Sequence, residues 1–412
     1  MKVKNFALLM MAAFVVAWIF VPVESQGFDL GCFQSWAIFI HTKGLGHAYE
    51  SPGVDYNPLF LELLWLFGRI KGSVEAMNAS FFTFKIFVLL FDFGAVALMA
   101  YMLRRNGQNI ALACFLLFNP AYLYNTMVWG QVDSIFSMFV AFSIFLATRK
   151  NVLASLLCVL IALNLKLAAV VFVPLVVLLN LPAIRENRRA LLRTIPLLLA
   201  IQVLIFLPFL HRQSLLAIVA ANQRQLRFSN TTSPSGFNFW WLIFGDRPYD
   251  VPGARTVLHV SFKTWGVVMF AVSAAVILAP LFKTIILRKT PLSDAYVFLA
   301  SSLYGLAFYF FTTGMHERYS HPAILLLAIY AVLSGSYFTY LLASLALFLN
   351  LEKVIQYFHI GTHDTLIFKG AFVGKMFLVV LVVGVVKIYW ELKPAIRAAQ
   401  SDGSQGVLRA AS

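Results

Sequence analysis

Long apolar runs separated by short, mostly basic gaps decide what this chain can fold into. The run at 152–181 is the most telling. Arg149 and Lys150 precede it, and Arg185, Arg188, Arg189 and Arg193 follow it. A spanning helix needs about 20 mainly apolar residues to cross a hydrocarbon core about 30 Å thick, at about 1.5 Å per residue. Runs near 6–22, 81–103, 109–125, 132–148, 190–210, 257–282, 294–312 and 370–390 suit one crossing each. Those at 152–181 and 319–350 are too long for one helix. With 61% apolar and only 12% charged residues, the solvent for most of the chain is lipid. The same figures exclude a disordered chain, a collagen-like repeat and a small disulfide scaffold.

Basic residues set the expected orientation. Cytoplasmic loops are enriched in Lys and Arg, so Lys2 with Lys4, Arg104 with Arg105, Arg149 with Lys150, the cluster at 185–193, and Lys283 with Arg288 and Lys289 are all expected inside. The run 152–181 must then cross twice, with Lys166 at its apex. The run 319–350 splits at Ser334-Gly335-Ser336. The sequence therefore predicts an all-α polytopic membrane protein with about 12 crossings (10–13) and both termini cytoplasmic. Gaps 23–80, 125–131, 211–256 and 351–368 face outward. Residues 1–395 form one transmembrane domain, and 396–412 a short polar tail on the cytoplasmic side. Only Glu186, Asp294, Glu391 and Asp402 among the acids are expected inside. The net charge of +15 fits this topology and contact with anionic lipid, not nucleic acid. The first run reads as an uncleaved span, although Lys2, Lys4 and the imperfect Val23-Glu24-Ser25 site also resemble a signal peptide. Cys32, Cys114 and Cys158 lie far apart and imply neither a disulfide framework nor a zinc motif.

Ionisable residues in or beside spans are costly and mark candidate sites. Four groups stand out: ESQGFDLGCFQSWA at Glu24–Ala37 with Asp29, NPAYLYNTMVWGQVDS at Asn119–Ser134 with Asp133, NLKL at Asn164–Leu167 with Lys166, and GMHERYSHP at Gly314–Pro322 with His316, Glu317 and Arg318. Each also has a plain reading. Asp29 is either a helix cap or a functional carboxylate, Asp133 a cap or a site residue, Lys166 a snorkelling lysine or a buried ligand, and His316-Glu317-Arg318 an ion-pair cluster or a binding group. All four fall on the same outward side of the expected topology, which favours the functional reading jointly. His359 and His363, at i and i+4, lack the Glu of an HExxH arrangement and read as a loop at the interface. The sequons at Asn78 and Asn230 carry little weight. In the gap 211–256, Arg212, Arg224 and Arg227 accompany Asn238, Phe239, Trp240 and Trp241. The aromatic rings are expected to anchor at the membrane interface, the alternative being a cover over a substrate.

WGQVDS at Trp129–Ser134, its NP…YN lead-in, NLKL with Pro174 downstream, and MHERYSHP at Met315–Pro322 resemble the signature set of GT-C-type membrane glycosyltransferases. The likeness is to bacterial mannosyltransferases related to the second mannosyltransferase of GPI-anchor assembly. FDLGCFQSWA (Phe28–Ala37) is similar to that family's first outer loop, and DYNPLFLELLWLFG (Asp55–Gly68) to the segment that precedes a helix lying at the interface. The resemblance runs in scattered motifs over roughly 1–325.

It implies a GT-C-like fold in a bacterial cytoplasmic membrane, an extracytoplasmic active site and an inverting hexosyl transfer, of mannose, from a polyprenyl-phosphate donor to a lipid, glycan or protein acceptor. No metal or other cofactor is expected, since basic side chains suffice for a monophosphate. By that likeness Asp29 is the catalytic base and Asp55 the alternative base. His316, Arg318 and Lys166 are expected at the donor phosphate, and Asp133, Gln131, Glu317 and Tyr319 position substrate. Asp133 has three open roles: orienting Lys166, holding a sugar hydroxyl or capping a helix. The physical requirements agree: a hydroxyl nucleophile needs a proton acceptor, and a leaving phosphate needs cations in a partly dry pocket. The rival reading is a transporter or flippase for lipid-linked sugars, which should show midplane charges and inverted repeats.

Overall fold

In lipid every backbone polar group must be satisfied within the chain, which leaves helices as the economical solution for apolar runs. The computed structural model describes residues 1–23, 27–210, 215–227, 230–288, 292–360 and 365–410, without the side chains at 190, 215, 225–227, 287–288 and 391–410. Helices dominate it. The first part of the chain forms α1 (Val3–Ile19), α2 (Gly27–Lys43), α3 (Pro58–Lys71), α4 (Val74–Ser80) and α5 (Phe84–Arg105). A tight-turn helix at Ile110–Leu116 leads into α6 (Pro120–Tyr124), α7 (Asp133–Thr148), α8 (Val152–Leu165) and α9 (Val173–Glu186). Then come α10 (Arg188–Leu210), α11 (Leu215–Arg227), α12 (Phe239–Phe244), α13 (Phe262–Phe282), α14 (Asp294–Phe311), α15 (His321–Ser334), α16 (Phe338–Ile355) and α17 (Gly370–Ala410). Strands β1 (Thr256–Val257) and β2 (Val260–Ser261) pair antiparallel in a small hairpin before α13.

Among the described residues, seven helical stretches are long and apolar enough to cross a membrane: Val74–Arg105, Leu167–Glu186, Leu191–Leu210, Phe262–Ile286, Asp294–Phe311, Phe338–Ile355 and Gly370–Trp390. The pair Ile110–Leu116 and Pro120–Trp129, bent by 54°, makes an eighth if counted as one span. The chain is thus an all-α polytopic membrane protein, but the expected twelve crossings are not met by these criteria. The reason is local. Helices Val3–Ile19, Asp133–Thr148, Val152–Leu165 and His321–Ser334 are apolar but only 14 to 17 residues long. Turn residues cut them short: Gly130 with a positive φ of 83° before α7, an extended Lys166 after α8, and Gly335 at φ 73° after α15. The chain does break within 152–181 and 319–350 where expected, at Lys166 and at Gly335. The run 257–282 starts later than expected, because Leu258 and His259 adopt positive φ in the hairpin turn.

Side-chain caps fix several helix starts. Asn119 accepts from the Tyr122 amide with Pro120 at the first turn, Asn151 from Ala154, and Ser293 from Tyr296. α14 lies at the centre, its span 78% buried, whereas only 6% of the Leu191–Leu210 span is buried. The outward faces of α10 and α13 carry exposed Leu199, Val203, Leu204, Val268 and Val272, as a lipid-facing surface requires. Glu24 and Ser25, of the imperfect cleavage-site match, lie outside the described residues, as do Lys289, Arg212, His363 and the side chains of Arg227, Glu391 and Asp402.

Candidate functional site

The four sequence groups meet at one end of the helical bundle. Asp29 lies in the first turn of α2, where the helix N-terminus favours a negative charge. Its partner comes from the α6–α7 connection. There Asn125–Trp129 form a wide π turn that ends at Gly130. A Cβ at Gly130 would sit 3.2 Å from Leu30 Cδ1 in a left-handed backbone, so glycine suits both the turn and the approach of α2. The turn delivers Trp129, whose Nε1–H donates to Asp29 Oδ2 at 2.7 Å.

Asp133 begins α7 and is 1% exposed. The chain turns from α8 through an extended Lys166, and that residue's buried ammonium reaches Asp133 Oδ1. Asn125 Nδ2 donates to Asp133 Oδ2 at 3.2 Å. Lys166 also sits over the rings of Tyr56, Phe136 and Tyr319, at 5.7, 5.8 and 5.6 Å from their centroids. These rings supply the cation with a dry, weakly attractive wall.

Arg318 links the groups. Its Nη1 donates to Glu317 Oε1 at 2.6 Å, Nη2 lies 3.7 Å from Asp29 Oδ2, and Nε lies 4.0 Å from Asp133 Oδ2. Trp129 and Tyr319 flank its guanidinium, with centroids 5.3 and 5.6 Å away. Burial alone would lower its pKa, but Glu317, then Asp29, outweigh it and hold the cation firmly charged. Burial likewise pushes the Glu317 carboxyl up, but Arg318 and the hydrogen bond and charge of His316 pull it down to about 2. Asp55, half-buried nearby, goes the other way. Burial raises it to about 6, although Lys166 pulls it down.

A loop within the outer gap 211–256 closes this arrangement, through residues that sequence reasoning did not single out. Gly236 N–H donates to the Met315 carbonyl at 2.9 Å, and Gly314 N–H to the Thr232 carbonyl at 3.0 Å. Ser235 Oγ donates to Glu317 Oε2 and lies 3.4 Å from His316 Nδ1. Asn350 of α16 anchors the loop. Its Nδ2 donates to the Ser235 carbonyl at 2.8 Å, while its Oδ1 accepts from Phe237 N–H at 2.8 Å and Tyr309 O–H at 2.9 Å. The Ser- and Thr-rich stretch Asn230–Ser235 is the visible signal for the loop; nothing local points to Asn350.

Each expected site residue therefore has a place. Asp29, Asp133, Lys166, His316, Glu317, Arg318 and Tyr319 belong to one connected cluster. Gln131, fully buried, accepts from Tyr56 O–H at 3.4 Å and so stands in the wall. Asp55 faces Lys166, Asp29 and Arg224 electrostatically, without an ion pair within 4 Å among the described residues. Both cations are already engaged by carboxylates, which differs from an open phosphate cradle: Lys166 is 3% exposed and clamped on Asp133. His316 and Arg318 are the more accessible, with side chains 16% and 12% exposed.

Other expectations change. Trp240 and Trp241 are buried rather than anchored at an interface. Trp240 Nε1–H donates to the Phe311 carbonyl at 3.1 Å, and Gly370 gives Trp241 room against α17. Asn238 caps α12 and reaches the carbonyls of Tyr309 and Thr312. Arg224 Nη2–H donates to the Val54 carbonyl at 2.6 Å, which ties α11 to the segment that carries Asp55. His359, by contrast, lies where expected, in the loop after the end of α16, with a positive φ of 46°. Among the described residues no group of three or more His, Cys, Asp or Glu side chains is placed to hold a metal ion. No family model matches the chain, and no curated protein matches it in sequence.

Proposed function

We propose that the chain is an inverting membrane glycosyltransferase of GT-C type. It moves a single sugar, mannose by the resemblance of its motifs, from a polyprenyl-phosphate donor to an acceptor outside a bacterial cytoplasmic membrane. One observation carries the reading. Four motifs spread over nearly 300 residues of sequence supply a carboxylate, Asp29, and a cationic patch, Arg318 with His316, to one recessed cluster. The likeness of WGQVDS and MHERY to the family supports it further. The basic clusters Arg104–Arg105, Arg149–Lys150 and 185–193 stand at the other ends of α5, α7 and α9, and the positive-inside bias then supports an extracytoplasmic site.

In this mechanism Asp29 takes the proton of the acceptor hydroxyl as its oxygen bonds to the anomeric carbon. The bond from that carbon to the phosphate oxygen breaks on the opposite face, and polyprenyl phosphate leaves with the bonding electrons. Arg318 and His316 donate to the phosphate oxygens, where negative charge accumulates. Trp129 holds the Asp29 carboxylate in orientation. Lys166 acts through Asp133, which in turn fixes Arg318. Asp55 is the second candidate base, because a carboxyl near pH 6 is a better proton acceptor than an ordinary one.

The test is transfer by the purified full chain, given several polyprenyl-phosphate sugars and membrane lipid extracts, with products read by mass. A product heavier by one hexose, lost in Arg318→Ala, supports the reading. Movement of intact lipid-linked sugar across vesicles without any new glycosidic bond would replace it with the transporter reading.

A further inference from the structure

A second feature lies at the opposite end of α7, about 24 Å from Asp133 along a 16-residue helix. Two adjoining cavities of about 440 and 510 Å³ open there between the starts of α8 and α10 and the end of α9, sharing Leu153, Asn187 and Thr194. The charges around them are uneven. Arg149 is paired with Asp294 at 2.5 Å and Lys150 with Glu186 at 2.7 Å. Arg189 and Arg193 line the larger cavity, both exposed, and neither takes part in an ion pair among the described residues.

The spacing orders these groups. Arg189, Arg193 and Leu197 stand at successive i, i+4 positions and so share one face of α10. That face passes from two unpaired guanidinium groups to Leu197, 45% exposed, and then Leu204, 64% exposed, with Leu153 of α8 alongside at 38%. The span that bears it, Leu191–Leu210, is the least buried of the seven described, at 6%. A cavity with excess positive charge thus opens onto an apolar stripe that runs along α10. A soluble anion would use the arginines and leave the stripe; a neutral lipid would use the stripe and leave the charges. Only an anionic amphiphile satisfies both.

We propose that this groove binds an anionic phospholipid, its phosphodiester held by Arg189 and Arg193 and one acyl chain lying along Leu197 and Leu204. Guanidinium forks match phosphate oxygens, and basic pockets at the cytoplasmic ends of membrane helices take acidic head groups by the same chemistry. The inference needs the chain to be in a bilayer and is independent of the sugar chemistry at the other end.

Native mass spectrometry of the full chain, released from micelles with equal phosphatidylglycerol and phosphatidylcholine, reads it directly. The expected result is retained phosphatidylglycerol over phosphatidylcholine. Arg189→Gln/Arg193→Gln should weaken that retention about thirtyfold, from the loss of two surface cations. Arg104→Gln/Arg105→Gln, which removes an equal charge elsewhere at the same end, should leave it unchanged. Inorganic phosphate should not displace the lipid. Equal retention of both lipids, equal loss in both variant pairs, or displacement by phosphate would each overturn the proposal. Should the glutamine pair fail to fold, the lipid comparison on the unmodified chain and the charge-keeping Arg189→Lys/Arg193→Lys variant still decide it.

Discussion

Lys166→Met probes the centre of the charged cluster without reference to what it does. The substitution keeps an unbranched apolar stem and deletes the ammonium that contacts Asp133 Oδ1. Asp133 is 1% exposed, so its carboxylate cannot turn to water. Among the described residues it then keeps the Asn125 amide at 3.2 Å and the Arg318 guanidinium, whose Nε is 4.0 Å away. Stranding one partner of a buried pair costs about 3–5 kcal/mol. The remaining Arg318 charge places the expected loss at the low end, about 3 kcal/mol, or more than about a hundredfold in the folded-to-unfolded ratio. Asp133→Asn should cost a similar amount by stranding the ammonium. The double variant, with neither charge left, should lose little more than either alone, for a coupling of about 2–3 kcal/mol. Unfolding of the full chain in mixed micelles, titrated with a denaturing detergent, measures all corners of the cycle. Because the pair is shielded from ions, raising the salt should leave the coupling nearly unchanged. Penalties that simply add, with coupling below about 0.5 kcal/mol, would refute the idea that these groups are held as one unit.

Asp29→Asn should fold within about 1 kcal/mol of the parent, since an amide oxygen still accepts the Trp129 N–H, while transfer to acceptor falls about 10²–10⁴-fold; near-normal turnover would remove Asp29 as the base. Asp55 must be ionised to accept a proton, so if it serves as base, activity should fall as pH drops through about 6. Asp55→Asn cannot titrate and should abolish that acidic limb together with most of the rate; an unaltered profile would clear Asp55 of the role. Gly236→Ala would bring a Cβ to 2.7 Å from the Met315 carbonyl oxygen, a backbone atom that cannot swing aside. The expected cost is about 1–3 kcal/mol in unfolding experiments, with transfer reduced as Ser235 is pushed from Glu317; wild-type stability would show that the two loops separate freely.

Hydropathy made the solvent and the helical class legible, because burial in lipid constrains every backbone group at once. It overestimated the number of long spans because an apolar window does not reveal where a helix stops. The stops depend on Gly130, Lys166 and Gly335, and two of those three are glycines in left-handed turns. The meeting of Asp29, Asp133, Lys166 and Arg318 was foreseeable from charge parity, which put all four groups at one end of the bundle. Which carboxylate each cation would take was not foreseeable. Pairing is decided by side-chain geometry between segments as distant as Lys166 and Asp133, or Arg318 and Asp29. The support from Asn350 was invisible for the same reason, as it belongs to no pattern along the chain, and the Ser- and Thr-rich stretch ending at Ser235 marks a loop without revealing what it touches. The tryptophans at 240 and 241 misled because an aromatic pair in an outer loop fits a membrane interface and a protein core equally well until packing is known.

The charge balance of the cluster bears on how the proposed reaction would proceed. Asp29, Asp133 and Glu317 face Lys166 and Arg318, with His316 at the edge, so an incoming phosphate meets cations that are already neutralised. The bonds are not equally hard to give up. Glu317 holds Arg318 through a 2.6 Å hydrogen bond, and Lys166 is enclosed by three rings and Asp133. Asp29, by contrast, is only 3.7 Å from Arg318 Nη2 and takes its close hydrogen bond from Trp129. The Asp29 contact is therefore the one that a donor phosphate displaces at least cost. Such a displacement would separate Asp29 from Arg318 only once donor is in place. The same pairing would then occupy the Asp29 carboxylate in the empty site and release it to the acceptor hydroxyl when donor binds. Under this scheme Arg318→Ala loses more than phosphate affinity, because donor no longer repositions the base, and the rate should stay depressed at saturating donor; a rate fully restored by excess donor would refute the scheme.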